Sequence, residues 1–261
     1  MTTPKGLFER LAIDRGIYDA GVVADPALFS KPIMPVRGGI TIRNMAIKTA
    51  GSPLIIPPLL SQFTAAVGQM VVQYCANPTH DFDAARMCLF ASQKVLKCGE
   101  TNLNGTLHTD IYNFDAAMRG REQDVIYLVS DVPHLTARIY PHAVAFTDAE
   151  KQIFCDDVRN KAYMFQKMLG QKIDTSHFVQ TDAYRIYVMD VSDPHYVPLA
   201  TGPTPRTVLS AHIAPDCPIQ SAKARQKARP FLFDDNPDLA AWVRQHTARP
   251  QDYGLWPLPS L

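Results

Sequence analysis

The sequence predicts an α+β protein, in which helices support a β-sandwich or a β-barrel. Two observations lead to this prediction. After about residue 84, short segments of strand-like composition follow one another and are separated by turns rich in Gly, Pro and Asp. Two longer stretches, 58–74 and 148–169, instead repeat apolar residues at steps of three and four, which is typical of helices. The strands are therefore expected to form the core and the helices to cover it.

Residues 1–83 are predicted to be a supporting region of helix and strand. A short helical pattern begins at Leu7, and residues 40–47 have the composition of a strand. The strongest helical pattern of the chain follows at 58–74, where two prolines suit the first turn and an Asn-Pro pair ends the helix. This helix suits packing on the core or on a second subunit, so the sequence is compatible with a homodimer.

Residues 84–215 are predicted to be the core. Its predicted strands are 87–97, 125–130, 136–140, 184–191 and 206–213. The helical pattern at 148–169 starts with a capping box and belongs to an insertion of about residues 141–183. Residues 216–261 are predicted to form one more helix, at about 237–245, and an extended tail. We expect the whole chain to be a single domain.

The composition predicts a globular protein of the cytoplasm. Of the 261 residues, 46% are apolar and 20% are charged, as in most globular proteins. Lys plus Arg number 26 and Asp plus Glu number 25, so we expect neither a nucleic acid nor a membrane as a partner. The five scattered cysteines have no zinc-ligand spacing and the N-terminus has no apolar run, which favours reduced thiols inside the cell.

His108 and Asp110 are the first candidates for a metal site. In a strand-like backbone, residues two apart project to the same side, so one imidazole and one carboxylate would point together. Two histidines and one carboxylate with open coordination positions are the ligand set that suits non-heme Fe(II). An exposed histidine near a turn is the other interpretation of the same tripeptide.

His195 and Arg206 provide a second group of candidates. His195 follows a predicted strand, and Arg206 opens the next one eleven residues later. Alternation along that strand places Ser210 and His212 on the same face as Arg206. An arginine in an apolar strand needs an anionic partner when it is buried, and its planar fork suits a carboxylate. A surface position, or pairing with an aspartate of this chain, is also compatible with the sequence.

In combination, His108-x-Asp110, His195 and Arg206 resemble the Fe(II)- and 2-oxoglutarate-dependent dioxygenases. The resemblance extends over about residues 86–213 and implies a double-stranded β-helix (a jelly-roll, cupin-like core). It implies that His108, Asp110 and His195 are the catalytic iron ligands, that 2-oxoglutarate is the cosubstrate, and that Arg206 holds its far carboxylate. It also implies that O2 is consumed to hydroxylate a small molecule, such as an amino acid or a natural-product intermediate, with release of succinate and CO2.

One position departs from the family pattern. Many members carry a serine two residues after the arginine, where this chain has Val208. Ser210 or Tyr184 is therefore expected to provide the second contact with the cosubstrate carboxylate, and Tyr187 and Thr136 are alternatives.

Further residues are candidates for substrate contacts or for the distal ligand. Arg138, Asp115 and His212 are predicted to contact the substrate; an ion pair, a solvated turn and a core histidine are the respective alternatives. His195 is preferred as the distal ligand over His212 and His177, because neither of these is followed by an arginine that opens a strand at suitable spacing.

Two other function classes are compatible with the same residues. One is a cupin-like metalloenzyme that does not use 2-oxoglutarate, and the other is a non-catalytic jelly-roll that binds a ligand. Arg206 favours the dioxygenase over the first, because only a dicarboxylate cosubstrate requires this cation. Metal content distinguishes the second from both enzymes.

Overall fold

The computed structural model describes residues 6–33, 39–56, 58–101, 105–110, 124–155 and 161–215. Within these ranges the helices are α1 (Leu7–Leu11), α2 (Pro26–Phe29), α3 (Thr64–Cys75), α4 (Asp148–Cys155) and α5 (Lys161–Lys172). The strands are β1 (Tyr18–Val22), β2 (Ile40–Lys48), β3 (Ala85–Leu96), β4 (Val125–Ser130), β5 (Arg138–Ile139), β6 (Val179–Gln180), β7 (Arg185–Asp190), β8 (His195–Tyr196) and β9 (Thr204–Pro215). Short 3₁₀ helices cover Pro58–Phe63, Pro133–Leu135 and Thr175–His177.

The described strands form two antiparallel sheets. The large sheet has six strands in the order β1-β7-β4-β9-β3-β2. The small sheet has three strands in the order β6-β5-β8, and an isolated antiparallel bridge adds His108 beside β8. From β3 onward the chain repeatedly crosses between the sheets, because β3, β4, β7 and β9 belong to the large sheet, whereas β5, β6, β8 and the bridge at His108 belong to the small one. The result is an α+β structure with antiparallel sheets, as the sequence predicts.

The small sheet packs against one face of the large sheet, which we call the interior face. Leu128 and Val208 from the large sheet share one buried apolar cluster with Ile139 and Val197 from the small-sheet side. The same cluster includes apolar residues of α1, α4 and α5, so the inserted helices and the N-terminal helix extend this packing. Apolar side chains from both sheets therefore meet in the space between them.

The opposite face of the large sheet, which we call the outer face, is covered by α3. Val67 and Met70 of α3 are fully buried in a second cluster together with Leu209 and Ala211 of β9. Val208 lies in the interior cluster and Leu209 in the outer one, so alternation along β9 follows the predicted pattern. Arg206, two residues before Val208, consequently belongs to the interior face.

The helices differ in detail from the sequence prediction. The pattern at 58–74 gives 3₁₀ geometry from Pro58 to Phe63 and becomes α-helical only at Thr64, because prolines suit a tight first turn. The pattern at 148–169 gives α4 and α5, and residues 156–160 between them lie outside the described residues.

The capping box predicted at the start of α4 is present. The backbone N–H of Thr147 donates to Glu150 Oε2 at 2.7 Å, and the backbone N–H of Glu150 donates to Thr147 Oγ1 at 3.3 Å. The helix predicted at about 237–245 lies outside the described residues.

The helices of the described part are too short to cross a bilayer. The longest, α3 and α5, have 12 residues each, whereas a transmembrane helix needs about 20 apolar residues.

Candidate metal centre

His108, Asp110 and His195 converge at one end of the small sheet. Each offers one ligand atom, and these atoms lie within 4.8 Å of one another. Nε2 of His195 is 3.4 Å from Asp110 Oδ2, and Nε2 of His108 is 3.8 Å from Asp110 Oδ1. In the part of the chain that the structure describes, no other group of three His, Cys, Asp or Glu side chains has this spacing.

Backbone hydrogen bonds bring the three residues together. The N–H of His108 donates to the carbonyl of His195 at 3.0 Å, and the N–H of His195 donates to the carbonyl of His108 at 2.9 Å. Residues paired in this way project to the same side, and the two imidazole centroids are 4.3 Å apart. The N–H of Asp110 donates to the carbonyl of Val191 at 2.9 Å, which ties this residue to the end of β7.

His195 follows β7 along the chain, as the sequence predicted, but it is not part of the same sheet. β7 ends at Asp190, and His195 opens β8 in the other sheet. Its partner across β5 is Ile139, which lies in the interior cluster, so His195 faces the space between the sheets.

The second nitrogen of each imidazole fixes its tautomer. Nδ1 of His108 lies 2.7 Å from the carbonyl oxygen of Thr106, and Nδ1 of His195 lies 2.8 Å from that of Asp193. A carbonyl oxygen only accepts hydrogen bonds, so Nδ1 of each ring carries a proton, and in the neutral ring Nε2 is the nitrogen with the lone pair. Metal-binding histidines use this arrangement, in which a carbonyl or carboxylate holds the nitrogen that does not bind the metal.

Burial and charge also suit a metal ion. Burial, and then the neighbouring His195, lower the pKa of His108, although the Asp110 carboxylate opposes them. The imidazole of His108 is therefore neutral at neutral pH, as a metal ligand must be. The Asp110 side chain is 39% exposed, whereas those of the two histidines are 9% and 8% exposed, so the centre is accessible from the carboxylate side. Two imidazoles and one carboxylate fit a divalent metal ion.

Arg206 is buried on the interior face of the large sheet, which packs against the sheet that carries the histidines. Its exposure is 1%, and Nε donates to Ser130 Oγ at 3.1 Å. Burial lowers the pKa of Arg206 to about 10, against the opposing effect of the Asp131 carboxylate. The guanidinium is therefore a buried cation at neutral pH, held by a hydroxyl that the sequence analysis did not select. The sequence did contain a signal for Ser130: alternation along β4 places it on the same face as Ile126 and Leu128, which is the interior face.

The other predicted cosubstrate contacts lie elsewhere. Ser210 is on the interior face, as predicted, but four residues along β9 correspond to about 13 Å from Arg206. Tyr184 packs against Phe29 in the outer cluster, and its hydroxyl is 3.2 Å from Ser30 Oγ. The prediction for Tyr184 is corrected accordingly, because the large sheet separates its side chain from the face of Arg206.

The alternatives to Tyr184 already have other partners. Thr136 Oγ1 donates to the carbonyls of Pro133 and Thr181. The hydroxyl of Tyr187 accepts from the backbone N–H of Asp182 at 3.1 Å.

Of the predicted substrate contacts, Arg138 faces away from the three ligands and His212 is paired with another residue. In the small sheet Arg138 is opposite Tyr196, one residue out of step with His195, so alternation places Arg138 on the face away from the ligands. His212 lies on the interior face, with Nε2 3.6 Å from Oδ2 of the buried Asp124. Asp115 lies outside the described residues.

The rival distal ligands do not join the centre. His212 pairs with Asp124, as stated above, and is not in the metal-ligand cluster. His177 is 55% exposed, with Nε2 3.9 Å from Oδ2 of Asp174.

Sequence reasoning also missed two arginines beside the centre. Arg10 in α1 is buried and pairs with Asp190, and Arg15 pairs with Asp190 and Asp193. The helical spacing of Leu7, Arg10 and Leu11 was a signal, because it places the cation on the apolar face.

Comparisons with known proteins give matches among solved structures. No family model matches the sequence, and no curated protein matches it. One similar solved structure is EvdO2 from Micromonospora carbonacea var. aurantiaca complexed with 2-oxoglutarate, with 14% identity, a TM-score of 0.45, and coverage of 77% of this chain and 87% of that chain. AviO1 from Streptomyces viridochromogenes follows at 13% identity and a TM-score of 0.42, covering 81% of this chain and 96% of that chain. At such scores and identities, these likenesses carry no weight in assigning chemistry to this chain.

Proposed function

We propose that this chain is an Fe(II)- and 2-oxoglutarate-dependent dioxygenase that hydroxylates a small molecule, with release of succinate and CO2. The convergence of His108, Asp110 and His195 carries the proposal. Two imidazoles that point Nε2 toward one carboxylate are the donor set of a facial metal site, which leaves positions for a chelating cosubstrate and for O2.

The path of the chain supports a double-stranded β-helix as the core. Eight strand segments are divided equally between two sheets when the bridged segment at His108 is counted with β3 to β9: β3, β4, β7 and β9 in the large sheet, and His108, β5, β6 and β8 in the small one. A jelly-roll has eight strands in two facing sheets. In this interpretation β1 and β2 are additions at the two edges of the large sheet, and the insertion with α4 and α5 lies between β5 and β6.

Arg206 supports a dicarboxylate as the cosubstrate. A buried guanidinium on the interior face can bind a carboxylate through two parallel hydrogen bonds, and these are strong because water is excluded. The bond from Nε to Ser130 Oγ restrains the plane of the guanidinium before a ligand arrives. The predicted role of Arg206 as the anchor of the 2-oxoglutarate 5-carboxylate is therefore part of the proposal.

The chain's own residues would divide the work as follows. The redox chemistry would come from bound Fe(II) together with 2-oxoglutarate and O2. His108 and His195 would hold the ion through Nε2, and Asp110 would balance part of its charge. The apolar interior cluster, which includes Leu128, Ile139, Val197 and Val208, would keep water away from the reacting groups.

An anaerobic titration tests this proposal. Fe(II) is added to the metal-free protein and then 2-oxoglutarate, and a weak visible metal-to-ligand charge-transfer band is expected after the second addition. Arg206→Gln should need much more 2-oxoglutarate to develop the band. Arg185→Gln, which removes an arginine paired with Asp19 at 2.6 Å elsewhere on the large sheet, is the matched control and should behave like the wild type.

The outcomes separate the function classes. Metal binding without the band in folded protein would overturn the dioxygenase and favour a metalloenzyme that does not use 2-oxoglutarate. Failure to bind Fe(II) would leave a binding protein. A positive titration is followed by an assay of succinate formation under O2, in which amino acids and natural-product intermediates are screened for those that stimulate turnover.

A further inference from the structure

Two arginines of the N-terminal segment hold the turn that leads into His195. Arg10 Nε donates to Asp190 Oδ1 at 3.2 Å, and a second bond joins Arg10 Nη2 to Asp190 Oδ2. Arg15 Nη1 lies 2.8 Å from Asp190 Oδ1, 3.1 Å from Asp193 Oδ1 and 2.6 Å from Ser192 Oγ. We call Arg10, Arg15, Asp190 and Asp193 the arginine clamp.

The turn itself concentrates negative charge. The N–H of Asp193 donates to the carbonyl of Asp190 at 2.9 Å, and the N–H of Asp190 donates to Asp193 Oδ2 at 2.8 Å. The two carboxylates therefore belong to one tight turn and repel each other. Partly buried carboxylates in this arrangement need cations beside them, and Arg10 and Arg15 provide these cations.

The turn is in direct contact with the imidazole of His195. The carbonyl of Asp193 accepts the Nδ1 proton of His195 at 2.8 Å. On the other side, the N–H of Tyr140 donates to the carbonyl of Pro194 at 2.9 Å, and the N–H of Arg15 donates to the carbonyl of Pro141 at 2.8 Å. Arg15 thus contacts the turn before His195 through its side chain. Through its backbone it contacts the segment of Tyr140 and Pro141, which is bonded to Pro194.

We propose that Arg10 and Arg15 are positioning residues of the metal centre. Arg10 bonds to Asp190, and the Arg15 guanidinium bridges Asp190, Ser192, Asp193 and the carbonyl of Arg10. Through these bonds together with their charge, the two arginines hold the Asp193 carbonyl where it keeps His195 in the Nδ1–H tautomer, with Nε2 directed toward Asp110. This inference rests on the proposed function, since the role matters only if His195 binds a metal ion. The tautomer itself does not depend on the metal, which allows the two to be tested apart.

The first test uses metal-free protein. Imidazole ¹⁵N–¹H correlation spectra report which nitrogen of His195 carries the proton, and the His195→Gln variant assigns the signal. The wild type and the control Arg185→Gln should show the Nδ1–H tautomer, and Arg15→Gln should show a mixture of tautomers. A folded Arg15→Gln protein with the wild-type tautomer would overturn the proposal.

The second test measures metal affinity by titration with Co(II), whose visible absorption also reports the coordination geometry. Arg15→Gln should raise the Kd about 10–100-fold and alter the spectrum, as expected for loss of a group that orients a ligand. Arg185→Gln should leave both unchanged. An unchanged Kd and spectrum in folded Arg15→Gln protein would contradict the positioning role.

A more conservative variant covers the case in which Arg15→Gln does not fold. Arg15→Lys keeps the positive charge but loses the planar guanidinium, whose Nη1 contacts Ser192 and both carboxylates while Nη2 donates to the carbonyl of Arg10 at 2.6 Å. A smaller increase in Kd is therefore expected. Wild-type affinity and tautomer in Arg15→Lys would then overturn the proposal. If the wild type binds neither Co(II) nor Fe(II), the proposed function fails, and the tautomer spectra still decide whether the clamp orients His195.

Discussion

The side chain of Asp110 is the most exposed of the three proposed ligands, so its removal separates function from folding. We expect Asp110→Ala to lower the affinity for Co(II) at least about 100-fold and to abolish turnover, because the remaining imidazoles lack a charged partner. The free energy of unfolding should change by less than about 0.5 kcal/mol, as for most surface substitutions. Metal titration and urea denaturation check both statements.

The control for this prediction is Asp148→Ala. Asp148 is an exposed aspartate that pairs with Lys151 within α4, so its removal should change neither metal affinity nor turnover. Retention of wild-type metal affinity by Asp110→Ala would contradict the assignment of this ligand.

Arg206 differs from Asp110 because it is proposed to bind the cosubstrate and not the metal. Arg206→Gln should raise the Kd for 2-oxoglutarate about 10–100-fold, since a hydrogen bond to a charged group contributes about 1.5–3 kcal/mol. The Kd of Arg206→Lys should lie between those of the wild type and Arg206→Gln, because lysine keeps the charge but lacks the planar guanidinium. Anaerobic titration measures the Kd for 2-oxoglutarate of both variants. Their Kd for Co(II) should stay at the wild-type value. Equal 2-oxoglutarate affinity in the variants would show that the anchor lies elsewhere.

Among the elements, the start of β2 depends on a glycine. Gly39 has a φ of +88°, and a Cβ at this position would lie 2.4 Å from the carbonyl oxygen of Gln93. Gly51 also has a positive φ, +69°, but a Cβ there would meet no atom within 4 Å. A comparison of substitutions at the two glycines therefore distinguishes the cost of backbone strain from the cost of steric contact with β3.

We expect Gly39→Ala to be the more destabilising of the two substitutions. Both incur the strain of a positive φ, about 1 kcal/mol, and only Gly39→Ala also pushes β2 away from β3, for a further 1–3 kcal/mol or so. Urea denaturation measures the difference. Equal losses in Gly39→Ala and Gly51→Ala would show that the edge strand adjusts without cost.

The number of neighbours that a strand has in its sheet explains which strands the sequence predicts well. The strand predicted at 125–130 is confirmed at its residues, and the strand predicted at 206–213 is confirmed and extended to twelve residues. Both are central in the large sheet, so two neighbours enforce the alternation that the sequence displays. The segment at 136–140 gives only a two-residue strand, because its pairing depends on short partners in the small sheet.

At the scale of the whole molecule, stability should depend on pH through the half-buried His80 and the buried His108. The His80 ring stacks on Tyr74 with centroids 4.2 Å apart, and Nδ1 donates to the Tyr74 carbonyl at 3.1 Å. Burial lowers the pKa of His80, and burial and His195 lower that of His108. In both cases the folded protein favours the neutral imidazole.

The direction of the pH effect follows from these shifts. As the pH falls below the unfolded value of about 6.5, the unfolded chain binds protons before the folded one does, so the free energy of unfolding decreases. Urea denaturation of metal-free protein at about pH 7.5 and 5.5 checks this. His80→Gln should reduce the decrease, whereas His134→Gln, which removes an exposed histidine, should leave it unchanged. A decrease of the same size in His80→Gln would rule out the contribution of His80.

The sequence by itself determined the features that depend on near neighbours. Alternation placed Arg206 with Ser210 and His212, and a spacing of two placed His108 with Asp110. These predictions needed no knowledge of the fold, because a strand repeats every two residues and a helix about every 3.6.

Only the tertiary structure decided which distant residues meet. It brought His195, and not His212 or His177, to the His108–Asp110 pair, and it placed Tyr184 and Arg138 on faces away from the site. It also added the N-terminal clamp through Arg10 and Arg15. The physical reason is that the pairing of strands across two sheets depends on how all the apolar faces are buried together. Residues that this long-range packing brings into contact show no repeating pattern in the sequence that would reveal the contact.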